Sequence, residues 1–232
     1  MTVKSKTFFI TGTDTDAGKT LVTCALLHAA ASAGYTTAAI KPVAAGGINA
    51  EHGLRNEDAL LLQAASTIAM PYEQVNPMCF PQALAPHIAA QLNGKRIKVE
   101  RLAGFCQGVL LKRANFTFIE GAGGWRVPLN EREFLSDLVK QLNIPVILVV
   151  AMRLGCLNHA ILTAEAITRD GLQLAGWVAN RIDPDMQCYA ENRETLRASL
   201  HAPLLAEIPY FDSVPDPAQV ASYFALDQLV QS

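Results

Sequence analysis

Near-continuous runs of apolar residues alternate along the chain with segments of helical periodicity. The apolar runs occupy residues 7–11, 36–41, 116–120, 146–151 and 174–180. Because these runs are short and do not alternate with polar residues, they predict strands that are buried on both faces. Residues 19–33 and 157–168 repeat apolar side chains at helical spacing, and Gly34 and Gly171 mark the predicted helix ends. The series predicts an α/β fold, a three-layer sandwich in which helices flank a mostly parallel central sheet.

Three stretches depart from this pattern. Residues 43–56 contain three glycines and little apolar periodicity, which predicts a mobile loop after the second strand. Residues 70–86 contain four prolines and predict an irregular connection between helices, whereas residues 218–229 predict a short terminal helix. Since no repeat or linker interrupts the pattern, we expect residues 1–232 to form a single domain.

The charge balance narrows the possible partners. Lys and Arg number 19 against 21 Asp and Glu, so the formal net charge is -2 and there is no overall basic field to attract nucleic acid. The longest apolar run, residues 144–152, is too short to cross a membrane, which takes about 20 residues. Residues 1–6 are short and polar, and the five cysteines show no Cys-x-x-Cys spacing. We therefore expect a cytoplasmic protein with reduced thiols, whose partners are small molecules or protein.

The strongest motif lies between the first predicted strand and the first predicted helix. Residues 12–20 read Gly-Thr-Asp-Thr-Asp-Ala-Gly-Lys-Thr, which is a P-loop pattern in the expected strand-loop-helix context. Backbone N–H groups in such a loop bind phosphate oxygens, and Gly18 permits their close approach. Lys19 then neutralises the β- and γ-phosphates, and the Thr20 hydroxyl completes a Mg²⁺ shell. An ordinary glycine-rich turn capped by Asp16 is the alternative interpretation.

Three charged residues elsewhere are candidates for the same crevice. Glu120 ends an apolar strand and precedes four small residues, and Lys41 ends another strand just before a proline. In an open parallel sheet, ligands bind at the carboxyl ends of the strands, so both side chains could face the phosphates. Asp58 is a second candidate carboxylate for Mg²⁺. The alternatives are a strand-end cap for Glu120, a surface lysine for Lys41 and a helix N-terminal acid for Asp58.

Several segments, taken in order, resemble the dethiobiotin synthetase family. They are residues 11–15 leading into 18–20, then 41–43, 53–56, 120–125 and 155–159. The resemblance implies an ATP- and Mg²⁺-dependent ligase of biotin biosynthesis. One amine of 7,8-diaminononanoate takes up CO₂, the carbamate attacks the γ-phosphate of ATP, and the second amine displaces phosphate to close the ureido ring of dethiobiotin. It also implies a homodimer whose active sites lie at the interface.

The resemblance assigns roles to individual residues. It makes Lys41 and Lys19 catalytic, and it implies that Mg²⁺ is held by Thr20, Asp58 and Glu120. The nucleotide would be bound by Asp16, Ala17, Gly18, Lys19, Thr20, Leu21, Asp58, Glu120, Gly121, Ala122, Gly123, Asn180, Arg181, Pro209, Tyr210, Phe211 and Asp216. The second substrate would be bound by Thr15, Lys41 and Ala45, with its acid tail held by Gly155, Cys156, Leu157 and Asn158 of the neighbouring subunit. The family carries a hydroxyl residue at the position of Ala45, so this chain lacks one substrate hydrogen bond.

Other interpretations of the sequence stay open at this point. Residues 180–183, Asn-Arg-Ile-Asp, are similar to the pattern with which GTPases bind guanine, although we favour ATP. A regulatory ATPase of the chromosome-partition or division-site type shares the predicted fold, but it carries an extra lysine early in its phosphate loop. An amidotransferase-type synthetase would need a glutaminase domain, for which 232 residues leave no room.

Overall fold

The predicted alternation of strands and helices is present in a computed structural model, which describes residues 5–231. The strands are β1 (Lys6–Gly12), β2 (Thr37–Ile40), β3 (Val43–Ala44), β4 (Ile48–Ala50), β5 (Gly53–Arg55), β6 (Met78–Cys79), β7 (Phe116–Glu120), β8 (Val146–Met152), β9 (Leu174–Arg181) and β10 (Leu204–Ile208). The helices are α1 (Lys19–Ser32), α2 (Glu57–Ala65), α3 (Tyr72–Val75), α4 (Pro86–Leu92), α5 (Val99–Leu110), α6 (Leu135–Leu142), α7 (Cys156–Arg169), α8 (Tyr189–Ser199), α9 (Pro217–Val220) and α10 (Asp227–Gln231).

The central sheet has six strands in the order β10-β9-β8-β1-β7-β2. Every neighbouring pair in it is parallel. The five predicted strands and the predicted fold class, a P-loop α/β sandwich with helices around a parallel sheet, are therefore confirmed. The sequence-based prediction did not include the edge strand β10, which is only five residues long and lies between two prolines.

Both faces of the sheet are covered, as the unbroken apolar strands require. Alternate residues of β8, including Leu148 and Val150, pack with α7 and α8 in one buried cluster. Val149 and Ala151 point the other way and belong to the larger cluster, which also contains the apolar faces of α1 and α5. The buried strands thus carry their carboxyl ends to one shared edge of the sheet, with a helix following most of them.

The irregular stretches contain more structure than the sequence predicted. Residues 43–56 were expected to form a mobile loop, but β4 and β5 pair as an antiparallel hairpin there and β3 pairs with β6. The proline-rich stretch 70–86 contains α3 as well as β6. The expected helix at 218–229 is wrong, because a 3-10 turn and an extended Phe224 separate α9 from α10.

Two further expectations can be compared with the described residues. No helix among them is long and apolar enough to cross a membrane. All five cysteines are free thiols. Burial raises the pKa of Cys24 and of Cys106 to about 12, so neither is a ready nucleophile at neutral pH.

Candidate nucleotide-binding and active site

The loop between β1 and α1 has the backbone geometry of a phosphate cradle. Asp16 and Gly18 have φ angles of 58° and 90°, and α1 begins directly after Gly18. Among the described residues no side chain caps the first N–H groups of α1, so these donors are available to a ligand at the positive end of the helix dipole. A Cβ atom on Gly18 would collide with the amide nitrogen of Asn180. Glycine is therefore required at this position by both conformation and space.

Neighbouring strand ends hold the loop in place. The Thr13 N–H donates to the carbonyl of Val149 at 2.9 Å, and the Ala151 N–H donates to Thr13 Oγ1 at 3.1 Å. From β9, Asn180 Nδ2 donates to the Ala17 carbonyl at 2.9 Å. Because these contacts come from β8, which pairs with β1, and from β9 next to it, the cradle is preorganised by the sheet.

Lys19 carries its charge into the cradle without a carboxylate partner. Its Nζ donates only to the Asp14 carbonyl, at 3.1 Å, and it forms no ion pair within residues 5–231. Burial lowers the pKa of Lys19 below its ordinary value, although the nearby carboxylate of Glu120 opposes that effect. A buried cation beside unpaired N–H groups is suited to bind a polyphosphate.

A buried charged cluster lies next to the start of α1. Lys41 Nζ contacts Asp58 Oδ2 at 2.7 Å and Glu120 Oε1 at 2.6 Å, and Thr20 Oγ1 donates to the same Glu120 oxygen at 2.9 Å. Burial by itself lowers the pKa of Lys41, but the two carboxylates outweigh it and raise the pKa overall. Burial by itself raises the pKa of Asp58, but the charge and hydrogen bond of Lys41, together with smaller effects of Thr20 and Lys19, outweigh it and lower the pKa overall. The cluster therefore favours a charged lysine and an ionised Asp58.

The donor set of this cluster fits a magnesium ion. Glu120 is fully buried, and its second oxygen, Oε2, has no hydrogen-bond partner among the described residues. An unpartnered buried carboxylate oxygen is costly unless a cation or donor satisfies it. Thr20, Asp58 and Glu120 could supply oxygen ligands, which Mg²⁺ prefers, and phosphate oxygens and water would complete the shell. The part of the chain described here has no cluster of three or more His, Cys, Asp or Glu residues for a transition metal.

An open cleft of about 970 Å³ joins the cradle to the charged cluster. The structure brings most of the sequence-predicted site residues together on its walls. They are Thr15, Asp16, Gly18, Lys19, Thr20, Leu21, Lys41, Ala45, Asp58, Ala122, Gly123, Asn180, Arg181, Pro209, Tyr210 and Phe211. Thus residues that lie far apart in the sequence, from Thr15 to Phe211, share one site.

Four residues that were predicted to bind the nucleotide do not line the cleft. Ala17 is fully buried, and Glu120 is also buried but accepts hydrogen bonds from Thr20 and Lys41, which do line the cleft. Gly121 donates to the carbonyl of Ile10, so it packs against β1. Asp216 accepts a hydrogen bond from Ala218 and caps α9, and it does not line the cleft.

The residues predicted to hold the acid tail of the substrate lie outside this cleft. Gly155 begins α7 with a φ of 92°, and Gly155 and Asn158 are exposed, whereas Cys156 is buried. Leu157 is half-buried, and none of the four lines the cleft. Within one chain, the structure does not bring these residues to Lys41.

The cleft also contains residues that the sequence analysis did not select. Arg126 and Pro128 lie on one wall, and residues 83–86 and 213–215 line the rest. Arg126 binds Asp170 at 2.7 Å, and the same carboxylate accepts from Trp125 Nε1 at 2.9 Å. The signal available in the sequence was proximity, since only Trp125 separates Arg126 from the small residues that follow Glu120.

The geometry at residues 180–183 bears on the choice between adenine and guanine. In the GTPase pattern the carboxylate of the last residue must face the base. Here Asp183 does not line the cleft, and its Oδ1 accepts from the N–H of Asp185 in a local turn. The Asn180 amide nitrogen is already used by Ala17. This arrangement favours the ATP interpretation.

Solved structures share the fold at low sequence identity. The structure of the signal recognition particle receptor FtsY from Elizabethkingia anophelis aligns with a TM-score of 0.53 and 17% identity, covering 99% of this chain and 65% of that one. The MinC:MinD cell division protein complex of Aquifex aeolicus aligns with a TM-score of 0.56 and 16% identity, covering 97% of this chain and 89% of that one. At these identities the likeness shows the fold alone.

Sequence comparison is more specific. An AAA domain family model matches residues 6–218. The ATP-dependent dethiobiotin synthetase BioD of Cellvibrio japonicus (strain Ueda107) is 56% identical over 89% of this chain and 90% of its own length. The protein of the same name from Pseudomonas paraeruginosa is 53% identical over 96% and 97%, and that from Tolumonas auensis is 50% identical over 97% and 100%. The resemblance found in the motifs is confirmed over nearly the whole sequence, and the chain belongs to the ATP-dependent dethiobiotin synthetase family.

Proposed function

We propose that this protein is an ATP- and Mg²⁺-dependent dethiobiotin synthetase that acts on 7,8-diaminononanoate and CO₂. The observation that carries the proposal is the position of Lys41, whose ammonium group lies between Asp58 and Glu120 beside the phosphate cradle. The reaction is inferred from family membership. The position of Lys41 supports it, because the ammonium group lies where the negative charge of the phosphate and carbamate would develop.

The reaction divides into three bond changes. A neutral amine of the substrate attacks CO₂, and loss of a proton leaves a carbamate. A carbamate oxygen then attacks the γ-phosphorus, the bond to the β-γ bridging oxygen breaks, and ADP leaves. The second amine attacks the carbonyl carbon of the mixed anhydride, phosphate departs with the C–O bond electrons, and a proton is lost as the ring closes. Negative charge therefore gathers on the carbamate and the γ-phosphate together.

Lys19 and Lys41 provide positive charge where this negative charge gathers. Lys19 is buried and forms no ion pair among the described residues, which suits it to the β- and γ-phosphate oxygens. Lys41 is 5% exposed and positively charged, which suits it to the carbamate and the transferred phosphoryl group. A bound Mg²⁺, held by Thr20, Asp58 and Glu120, would neutralise phosphate charge. The residues of the chain therefore act by positioning and electrostatics.

The apolar walls of the cleft supply a place for the nucleotide base. Pro209, Tyr210 and Phe211 follow β10 and line the same cleft as the cradle. The Asn180 amide, fixed by Ala17, leaves its carbonyl oxygen available to an amino group of adenine. The base would therefore stack near the end of β10 while its phosphates lie on α1.

A homodimer completes the substrate site in this proposal. The start of α7 is exposed at the same edge of the sheet as the cradle, yet it lies outside its own cleft. Its N-terminal N–H groups suit a carboxylate, so the partner subunit would hold the acid tail. We further propose a single domain over residues 1–232 and a cytoplasmic location, in keeping with the one central sheet and with the supply of ATP.

The rival interpretations lack specific support in this geometry. The early position of the phosphate loop is occupied by Thr13 and Asp14, where the partition and division ATPases carry a lysine. The likeness to the MinC:MinD complex, at 16% identity, concerns the fold alone.

Purified protein incubated with diaminononanoate, bicarbonate and MgATP tests the proposal directly. We expect phosphate release that depends on the diamine, together with the ureido product by mass spectrometry. Omitting the diamine serves as the control, and replacing ATP by GTP at equal concentration tests the base. Diamine-independent ATP hydrolysis with no ureido product would refute the proposal and favour a regulatory ATPase.

A further inference from the structure

The backbone of Lys41 is held from outside the central sheet. Strand β2 ends at Ile40, and the next residue makes its backbone hydrogen bonds with the segment around α3. The Lys41 N–H donates to the carbonyl of Val75 at 2.8 Å, and the Lys41 carbonyl accepts from Asn76 Nδ2 at 2.6 Å. Both polar backbone groups of the lysine therefore depend on one short helical turn.

Tyr72 fixes the orientation of the Asn76 amide. The Tyr72 hydroxyl donates to Asn76 Oδ1 at 2.9 Å, which leaves Nδ2 facing the Lys41 carbonyl. The Asn76 N–H also donates to the Tyr72 carbonyl at 2.7 Å, closing the turn. Burial raises the pKa of Tyr72 to about 12, so its hydroxyl stays protonated and able to donate.

The same hydroxyl reaches the helix that carries Asp58. It accepts from the Asn56 N–H at 2.7 Å, and Asn56 caps α2 by accepting from the Ala59 N–H at 3.2 Å. Asn56 Nδ2 donates to the carbonyl of Ala45 at 3.3 Å. Thus a single chain of hydrogen bonds joins Lys41, the first turn of α2 and the loop after β3.

Each member of this chain is buried. Asn56, Tyr72 and Asn76 expose 7%, 6% and 3% of their surface. Buried polar groups that lose a partner cannot turn to water, so the network is satisfied as a unit or disrupted as a unit. A flexible lysine whose ammonium group must meet two carboxylates and a reacting phosphoryl group gains precision when its backbone is fixed in this way.

We propose that Tyr72 and Asn76 are positioning residues that hold the Lys41 backbone and the start of α2 in one register, so that the Lys41 ammonium group and the Asp58 carboxylate converge on the reacting groups. Neither side chain touches the substrates in this assignment. The inference deepens the proposed function and rests on it, because it takes Lys41 as catalytic.

Replacing Tyr72 by phenylalanine tests the inference. Tyr72→Phe removes one oxygen and leaves the ring beneath the Arg55 guanidinium. We expect kcat for ring closure to fall about tenfold or more, because small displacements of a catalytic group are costly, while KM for MgATP stays within about twofold. Asn76→Ala should produce the same pattern. Tyr35→Phe is the matched control, since the Tyr35 ring packs against Phe116 and its hydroxyl has no hydrogen-bond partner in the described part of the chain.

A double-mutant cycle with Lys41→Ala distinguishes positioning from general structural support. If Tyr72 acts through Lys41, Tyr72→Phe should change the residual rate of the Lys41→Ala protein by less than about twofold. Rates are referred to sites counted by binding of a non-hydrolysable MgATP analogue, so that partial unfolding does not count as lost catalysis.

Two results would overturn the inference. One is a Tyr72→Phe protein with wild-type kcat per site, and the other is an equal loss of rate with and without Lys41. Wild-type protein assayed in parallel separates this failure from that of the proposed function, since an inactive wild type would refute only the reaction.

Discussion

Lys41→Ala is the change with the largest expected consequence, because it alters the buried charged cluster and the reaction together. In the native protein the Lys41 side chain is 6% exposed, and its ammonium group pairs with Glu120, whose side chain is fully buried, and with Asp58, whose side chain is 42% exposed. Removing one partner of a buried pair leaves the other charge unpaired, at a cost of about 3–5 kcal/mol. The ion pair between Lys41 and the half-exposed Asp58 should contribute only about 0–1 kcal/mol of that cost.

The variant should remain folded at 25 °C, because domains of this kind are stable by about 5–15 kcal/mol. Since the raised pKa of Lys41 means that the folded state holds its proton more tightly, the stability contributed by the pair is complete below the unfolded lysine pKa of about 10.4. It is lost only as the pH rises through the still higher folded pKa. The stability that the Lys41 ammonium group contributes to the native protein should therefore be constant between about pH 6 and pH 9.

Urea denaturation at several pH values measures the free energy of unfolding, and the coupled phosphate and mass-spectrometric assay measures turnover. We expect a fall in kcat of about a hundredfold or more with the fold retained. Lys140→Ala removes an exposed lysine paired to Asp137 at 3.0 Å and is the matched control, with an expected cost below about 1 kcal/mol. The reasoning is wrong if Lys41→Ala unfolds with wild-type free energy, or if it forms product at the wild-type rate.

Two other substitutions test separate parts of the structure. Gly18→Ala should cost about 1–2 kcal/mol of stability from its left-handed conformation and should also weaken MgATP binding at least about tenfold, because the added methyl meets Asn180. Gly34 has a similar φ of 85°, and among the described residues no atom lies within 4 Å of an added Cβ, so Gly34→Ala should lose stability but keep its MgATP affinity. Equal MgATP affinities of the two variants in calorimetry would contradict the role of the cradle. Asp137→Ala removes the carboxylate that accepts from the Phe134 N–H at 2.8 Å and should cost about 1 kcal/mol at neutral pH. Burial opposes the shift, but the hydrogen bond from the Phe134 N–H and the charge of Lys140 lower the pKa of Asp137. The stability difference between wild type and Asp137→Ala should therefore shrink as the pH falls below the unfolded aspartate pKa of about 3.9 and through the lower folded pKa. A stability difference that persisted in urea titrations at acid pH would count against the capping interpretation.

The order of elements and the phosphate loop could be predicted from the sequence because each depends on local patterns. Unbroken apolar runs identify strands buried on both faces, and the glycine-lysine-threonine segment needs only its place between β1 and α1. Gly34 and Gly171 follow the helix ends with φ angles of 85° and 77°, as their sequence positions predicted. Strand β10 lacks such an unbroken run, because Glu207 interrupts its apolar residues, and its pairing with β9 depends on the sheet already being formed.

The sequence by itself therefore determined which residue types are available for the chemistry: a phosphate loop, two lysines and two carboxylates at strand or helix ends. Only the tertiary structure decided that Lys41 lies between Asp58 and Glu120, that one Glu120 oxygen has no partner among the described residues, and that Tyr72 and Asn76 hold the lysine from behind. These contacts join residues far apart in sequence, and they arise from the strand order and from the packing of α2 and α3 beside β2. Local periodicity carries no information about such distant contacts, because they depend on which elements the folded core places side by side.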